Sequence, residues 1–277
     1  MNRKAAFAGA FYTGSPSELR KQIDDFIKAA EFKNISNIKA VISPHAGYVY
    51  SGPVAGCSFK QIQKEKLEVV LILALSHRGM LKSGNFATVI PEGTYETPLG
   101  ISVIDQEIGH SLLGLSGFTF HPEIHEMEHS LEVQIPFVQR LFPDASVVPV
   151  IISTVSFEEM KKAAEKLHEV FSREKRPFMT IISTDLSHFH KYDAAVEIDR
   201  RFINCFAEYN PEKLYKLISD GKAEACGIAP VLTGMMFARM LGAGEITEIS
   251  YKNSGDTAGD KSKVVGYLSA VIHGGSK

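Results

Sequence analysis

The chain has 277 residues, 44% of them hydrophobic and 22% charged, a composition able to bury a sizeable core. Its 30 basic and 32 acidic residues leave a formal net charge of −2 with no long block of like charge, which argues against nucleic acid or an anionic membrane as a partner. Cys57, Cys205 and Cys226 are widely spaced and form no C-x-x-C, unlike a secreted disulfide framework, and the longest apolar runs are too short to span a bilayer. The opening MNRKAAFAGAFYTG mimics a short signal peptide. Its apolar stretch is brief and lacks a clear cleavage context, so a reducing, cytoplasmic location is expected.

No repeat, low-complexity tract or linker divides the sequence, which predicts one domain over residues 1–277. Ser15-Pro16-Ser17-Glu18 predicts a capping box with proline at the first helical position, ahead of Leu19, Ile23, Phe26 and Ile27 at helical spacing. Residues 38–42 and 69–75 then read as short strands rich in β-branched side chains. Residues 147–152 repeat that pattern before a helix opened by Ser156 with Glu159, and 178–182 repeat it again. Asn210-Pro211 opens another helix. A further one after Cys226 carries Met235, Met236 and Met240, most simply as core packing, and stops near Gly242. Residues 263–272 add a last strand. Most strands lack polar alternation, as expected of strands covered on both faces. The predicted fold is α/β, a central largely parallel or mixed sheet flanked by helices.

Three strands end alike. They run into Ser43-Pro44-His45-Ala46-Gly47-Tyr48, into Ser76-His77-Arg78-Gly79, and into Ser183-Thr184-Asp185-Leu186-Ser187-His188. In open α/β sheets, ligand-binding groups gather beyond the carboxyl ends of strands, so imidazoles placed there can meet although distant in sequence. Neutral imidazole is the commonest protein ligand for transition metals. Singly, each of these histidines is explained as well by a hydrogen-bonded loop residue. Cys226 precedes a predicted helix; it is either a small buried hydrophobe or a thiolate favoured by the helix N-terminus and suited to a metal.

His125-Glu126-Met127-Glu128-His129 satisfies H-E-x-x-H, in which two histidines one turn apart bind zinc. That motif needs a helix, and one from 123 to 135 is poorly signalled between Pro122 and Pro136. Phosphate-loop, nucleophile-elbow and dinucleotide-binding signatures are missing. The turn-rich stretch 254–260 reads as a tight loop, or as a loop closing over a site.

Together these segments resemble the Memo family. The resemblance rests on Gly9-Ala10-Phe11-Tyr12, S-P-H-A-G-Y-V-Y-S-G at 43–52, Ser76-His77 and Glu128-His129-Ser130-Leu131-Glu132 with Pro136. It continues through Ser183-Thr184-Asp185 with His188, Cys226-Gly227, and Ser254-Gly255-Asp256 before Val264-Val265-Gly266-Tyr267. It implies a fold similar to the class III extradiol dioxygenases, which use non-haem iron. By that likeness His45, His77 and Cys226 would be metal ligands, His188 and Asp185 would line the pocket in catalytic roles, and Tyr50 and His129 would be neighbours. His125 becomes incidental. Leu73-Ala74-Leu75 stands where relatives more often carry Gly-Pro before the serine, which alters a loop rather than a ligand. Extradiol enzymes hold Fe(II) with two histidines and a carboxylate, whereas a cysteine makes a softer site that also suits copper or zinc. A thiolate facing oxygen is an oxidation liability.

Three readings follow: an Fe(II)- or copper-dependent oxidoreductase of dioxygenase type, a metal-binding or protein-interaction protein without turnover, and a zinc hydrolase on the same ligands. The resemblance also implies a pathway shared with a radical-SAM protein and an AMMECR-type protein.

Overall fold

The computed structural model describes residues 1–275 except Met80 and Ser83. The chain opens with β1 (Asn2–Arg3), α1 (Pro16–Ala29), β2 (Ile38–Ser43), α2 (Tyr48–Ile62) and β3 (Val69–Leu75). Short strands β4 (Ala87–Val89), β5 (Thr94–Thr97) and β6 (Gly100–Val103) lead to α3 (Gln106–Leu113) and β7 (Phe118–Thr119). Three short helices follow: α4 (Pro122–Glu126), α5 (His129–Glu132) and α6 (Ile135–Leu141). Then come β8 (Ser146–Ile152), α7 (Phe157–Phe171), β9 (Phe178–Ser183), β10 (His188–His190) and α8 (Tyr192–Ala207). The chain closes with α9 (Pro211–Ser219), α10 (Ile228–Met240), β11 (Glu245–Asn253), α11 (Ser254–Ala258) and β12 (Val264–His273).

The fold is α/β with a mixed sheet. Its strand order is β10-β12-β2-β9-β3-β8-β4-β7, with β11 added to β12. The central strands β2, β9, β3 and β8 run parallel, and antiparallel β12 and β4 flank them. Residues 69–74 are completely buried and alternate between two cores. Val69, Leu71 and Leu73 face α7 and α10, while Val70, Ile72 and Ala74 face the side of α1, α2 and α6. Both faces of the strand are therefore dry, which explains the missing polar alternation. Truncating Leu71 to alanine costs about 2–5 kcal/mol at such a site. Among the described residues no helix is long and apolar enough to cross a membrane.

Two local expectations are corrected. Ser15 caps α1 only with its carbonyl, because Glu18 turns back to the Thr13 hydroxyl at 2.8 Å and no capping box forms. The stretch 254–260 is not a plain loop. Asn253 accepts the Gly255 and Asp256 N–H groups, Asp256 returns to the Asn253 N–H, and one helical turn results, ended by Gly259 at φ 90°. Ser156 and Asn210 cap α7 and α9 as their sequences predict.

Candidate metal centre

Register brings the site together. Ser43 pairs with Ser183 at the ends of β2 and β9, so His45 and Asp185, each two residues on, leave the sheet side by side. The His45 N–H donates to Asp185 Oδ1 at 2.8 Å. His77 follows the end of β3 at the same two-residue interval.

The hydrogen bonds around His45 fix its tautomer. Ser183 Oγ has one proton and lies 2.6 Å from the Ser130 carbonyl, which can only accept. Ser183 Oγ therefore accepts from His45 Nδ1 at 2.9 Å and from Gln134 Nε2 at 3.1 Å. The Nδ1 carries the proton, and Nε2 offers its lone pair to the site. Burial holds this imidazole neutral, lowering its pKa to about 3, with His77 adding to the effect.

His77 presents the same nitrogen by another route. Glu128, completely buried, accepts the His77 N–H at 2.6 Å and His77 Nδ1 at 2.8 Å. The same carboxylate caps α5 through the Ser130 N–H at 2.9 Å. Burial opposes its ionisation, but the hydrogen bonds from His77 and Ser130 outweigh it and hold the carboxyl at about 2. A carboxylate behind an imidazole is the usual support of a metal ligand, and it leaves Nε2 free.

The third imidazole is His129 rather than the strand-end His188. Ligand atoms of His45, His77 and His129 all lie within 4.8 Å of one another. The His129 ring stacks on His77 at 4.3 Å and meets His45 edge-on at 5.5 Å. Burial, then His45 and His77, lower its pKa to about 3. Nitrogens bound to one ion at about 2.1 Å lie within about 4.2 Å of each other, so small side-chain shifts close this group onto a transition metal. Inward-facing imidazoles, His45 and His129 held neutral by burial, fit such an ion.

Cys226 Sγ lies 3.2 Å from His45 Nε2. Its loop is drawn against β9: the Cys226 N–H donates to the Asp185 carbonyl at 3.2 Å and the Gly227 N–H to Thr184 Oγ1 at 3.0 Å. A Cβ at Gly227 would stand 2.6 Å from the Ser183 carbonyl oxygen, so only glycine allows the approach. Burial, with the Asp185 charge beside it, pushes the thiol well above its ordinary range. Asp185 Oδ2 is 3.9 Å from His45 Nε2, and burial pushes this carboxyl up to about 6. His188 Nδ1 is tied to the Leu186 carbonyl at 2.8 Å, and its field reaches His45 and Asp185. Tyr50 sits in the first turn of α2, 42% exposed, beside Gly47.

His125 is elsewhere. The chain leaves helical geometry at Met127, with φ −118°, because Glu128 must cap α5. His125 is buried with Nε2 against Thr88 Oγ1 at 3.2 Å, so H-E-x-x-H forms no shared face. The supporting residues Glu128, Ser183 and Gln134 had no assigned role in the sequence reading. Their signal was present for Glu128, an acid directly preceding a histidine in E-H-S-L-E.

The chain matches the Memo-like protein family over residues 3–271. It belongs to the Memo family. It is 34% identical to a MEMO1 family protein of Sulfolobus acidocaldarius, over 97% of this chain and 98% of that one. The MEMO1 family protein of Nitrosopumilus maritimus is 35% identical over 96% and 98%. That of Aquifex aeolicus is 35% identical over 98% of both chains. Among solved structures, the uncharacterized protein JW3007 of Escherichia coli K12 shares the fold, with a TM-score of 0.55 at 13% identity, over 85% of this chain and 99% of that one. In this Memo chain the E-H-S-L-E segment supplies both the third imidazole and the carboxylate behind the second.

Proposed function

We propose that this Memo-family chain is a metal-dependent oxidoreductase of dioxygenase-like type, with one transition-metal ion held by His45, His77 and Cys226 beside His129. The observation that carries the reading is the convergence of three imidazoles beside a thiol 3.2 Å from His45 Nε2. Fe(II) or copper suits this mixed nitrogen and sulfur set, and zinc is the remaining option. Bound iron or copper would supply one-electron and oxygen chemistry that side chains lack. His188, tethered through Nδ1, keeps Nε2 for proton transfer. Asp185, pushed up to about 6, can take or give a proton near neutral pH and orients His45 through its backbone N–H.

A second reading, a metal-binding protein without turnover, is favoured by the thiol itself. A sulfur donor softens the site and is open to oxidation, which suits metal handling or partner recognition better than oxygen activation. Either reading has the chain working in the cytoplasm on a small molecule or a protein partner, in a pathway with radical-SAM and AMMECR-type proteins.

Metal content by mass spectrometry on anaerobically purified protein tests the site, with His45→Ala and Cys226→Ala beside it. Near-stoichiometric iron or copper, lost in both variants, is expected. Oxygen uptake on an aromatic diol then separates the oxidoreductase from the binding protein. Absence of metal from the wild type after reconstitution would refute both.

A further inference from the structure

The residues before α1 lie against the site. The Phe11 ring is 4.6 Å from the His129 ring, and the Phe7 ring 5.6 Å from it, with Phe7 and Phe11 themselves 5.1 Å apart. His129 thus lies between Phe11 and the stacked His77. This strap is pinned at one side by a single carboxylate. Glu132, completely buried, accepts the Ala6 N–H at 3.0 Å, the Phe7 N–H at 2.9 Å and the Tyr12 hydroxyl at 2.5 Å, and pairs with the buried Arg3 guanidinium. At the other side the Phe11 carbonyl accepts the Tyr48 N–H at 2.7 Å, which caps α2 where no side chain does. Both anchors belong to metal-site segments, because Glu132 ends the helix that begins with His129 and Tyr48 follows His45 by three residues.

We propose that Glu132 and Phe11 are positioning residues that hold His129 within the coordination sphere, giving the metal a third imidazole in addition to His45 and His77. The inference rests on the metal site proposed above. A buried carboxylate fully occupied by two backbone N–H groups, a phenol and a guanidinium leaves the strap a single docked position. The Phe11 ring then closes the side of His129 away from His77, so the imidazole cannot swing out of the group. The His77 ring is held through its Nδ1 by Glu128.

Cobalt(II) is the probe, bound under argon to the full chain. Its visible spectrum reports donor type and number, X-ray absorption counts imidazoles, and chelator competition gives affinity. His129→Ala is expected to lose one imidazole. Phe11→Ala and Glu132→Gln are expected to move the spectrum in the same direction and weaken binding by about 10–100-fold, the usual effect of removing an outer support of a metal ligand. Phe11→Ala alters no buried charge, so it keeps the test valid if Glu132→Gln does not fold. Wild-type spectra and affinity in Phe11→Ala, with His129→Ala altered, would overturn the positioning role. An unchanged His129→Ala would overturn the third imidazole. A wild type that binds no cobalt would instead refute the metal site itself.

Discussion

His45 and His77 offer the same Nε2 to the site, but one is sealed and held by a neutral hydroxyl, whereas the other is exposed and held by a carboxylate. For His45 the surroundings do the work. Burial, with His77 adding to it, keeps the ring neutral, and Ser183 only has to choose the tautomer. His77 faces solvent, so its orientation has to come from bonds. Glu128 provides two of them to the same residue, through backbone and ring. A ligand on an open rim needs an ionised partner, while a ligand in the wall does not.

That contrast can be broken. Glu128→Gln should weaken cobalt binding by about 10–100-fold, and Ser183→Ala by less than that, in chelator competition. A larger loss from Ser183→Ala would reverse the ranking. Next in size is the response to acid. The Glu128 carboxyl is held at about 2 against an ordinary 4.5, so the native state binds its proton later than the unfolded chain. The stability it contributes, roughly 3 kcal/mol, is complete above pH 4.5 and lost as pH falls toward 2. Denaturant midpoints of Glu128→Gln should therefore change less over that interval than those of the wild type, and parallel curves would remove the carboxylate from the account.

The proton count sharpens the comparison further. Near pH 7 His45 and His129 are already neutral, and the Cys226 thiol is protonated. Metal binding that recruits Cys226 should release about one proton more than binding by imidazoles alone. Calorimetry in buffers of different ionisation heat distinguishes them. The smallest effect belongs to the histidine outside the group. Thr88→Val removes the partner of His125 and should cost about 1 kcal/mol with metal affinity unchanged. A loss of affinity would return H-E-x-x-H to consideration.

Much of the sheet was legible because residues 69–74 form a short, β-branched-rich run apolar on both faces, as a doubly covered strand requires. His45 and His77 were legible for a related reason, since strand ends predict where side chains converge. The third imidazole was not legible from geometry, and only the resemblance placed His129 near the site. His129 comes from a short helix rather than a strand end, and its position depends on Glu128 turning back to His77, a contact 51 residues away. His188 looked equivalent in sequence, but the ligand atoms that converge are those of His45, His77 and His129. The Asn253 cap was visible as Asn followed three residues later by Asp, yet the run of turn formers after it masked a helical turn.

The Glu132 anchor also bears on the order of events during folding. Its bonds to Ala6 and Phe7 join residues 126 and 125 positions apart, so they close a loop of nearly half the chain. Neither partner can be in place until α5 has docked on the sheet, because Glu132 belongs to that helix. The strap is thus a clasp that depends on the placement of α5. His129 is thus braced by the first dozen residues of the chain, whereas His45 and His77 follow central strands that those residues do not join.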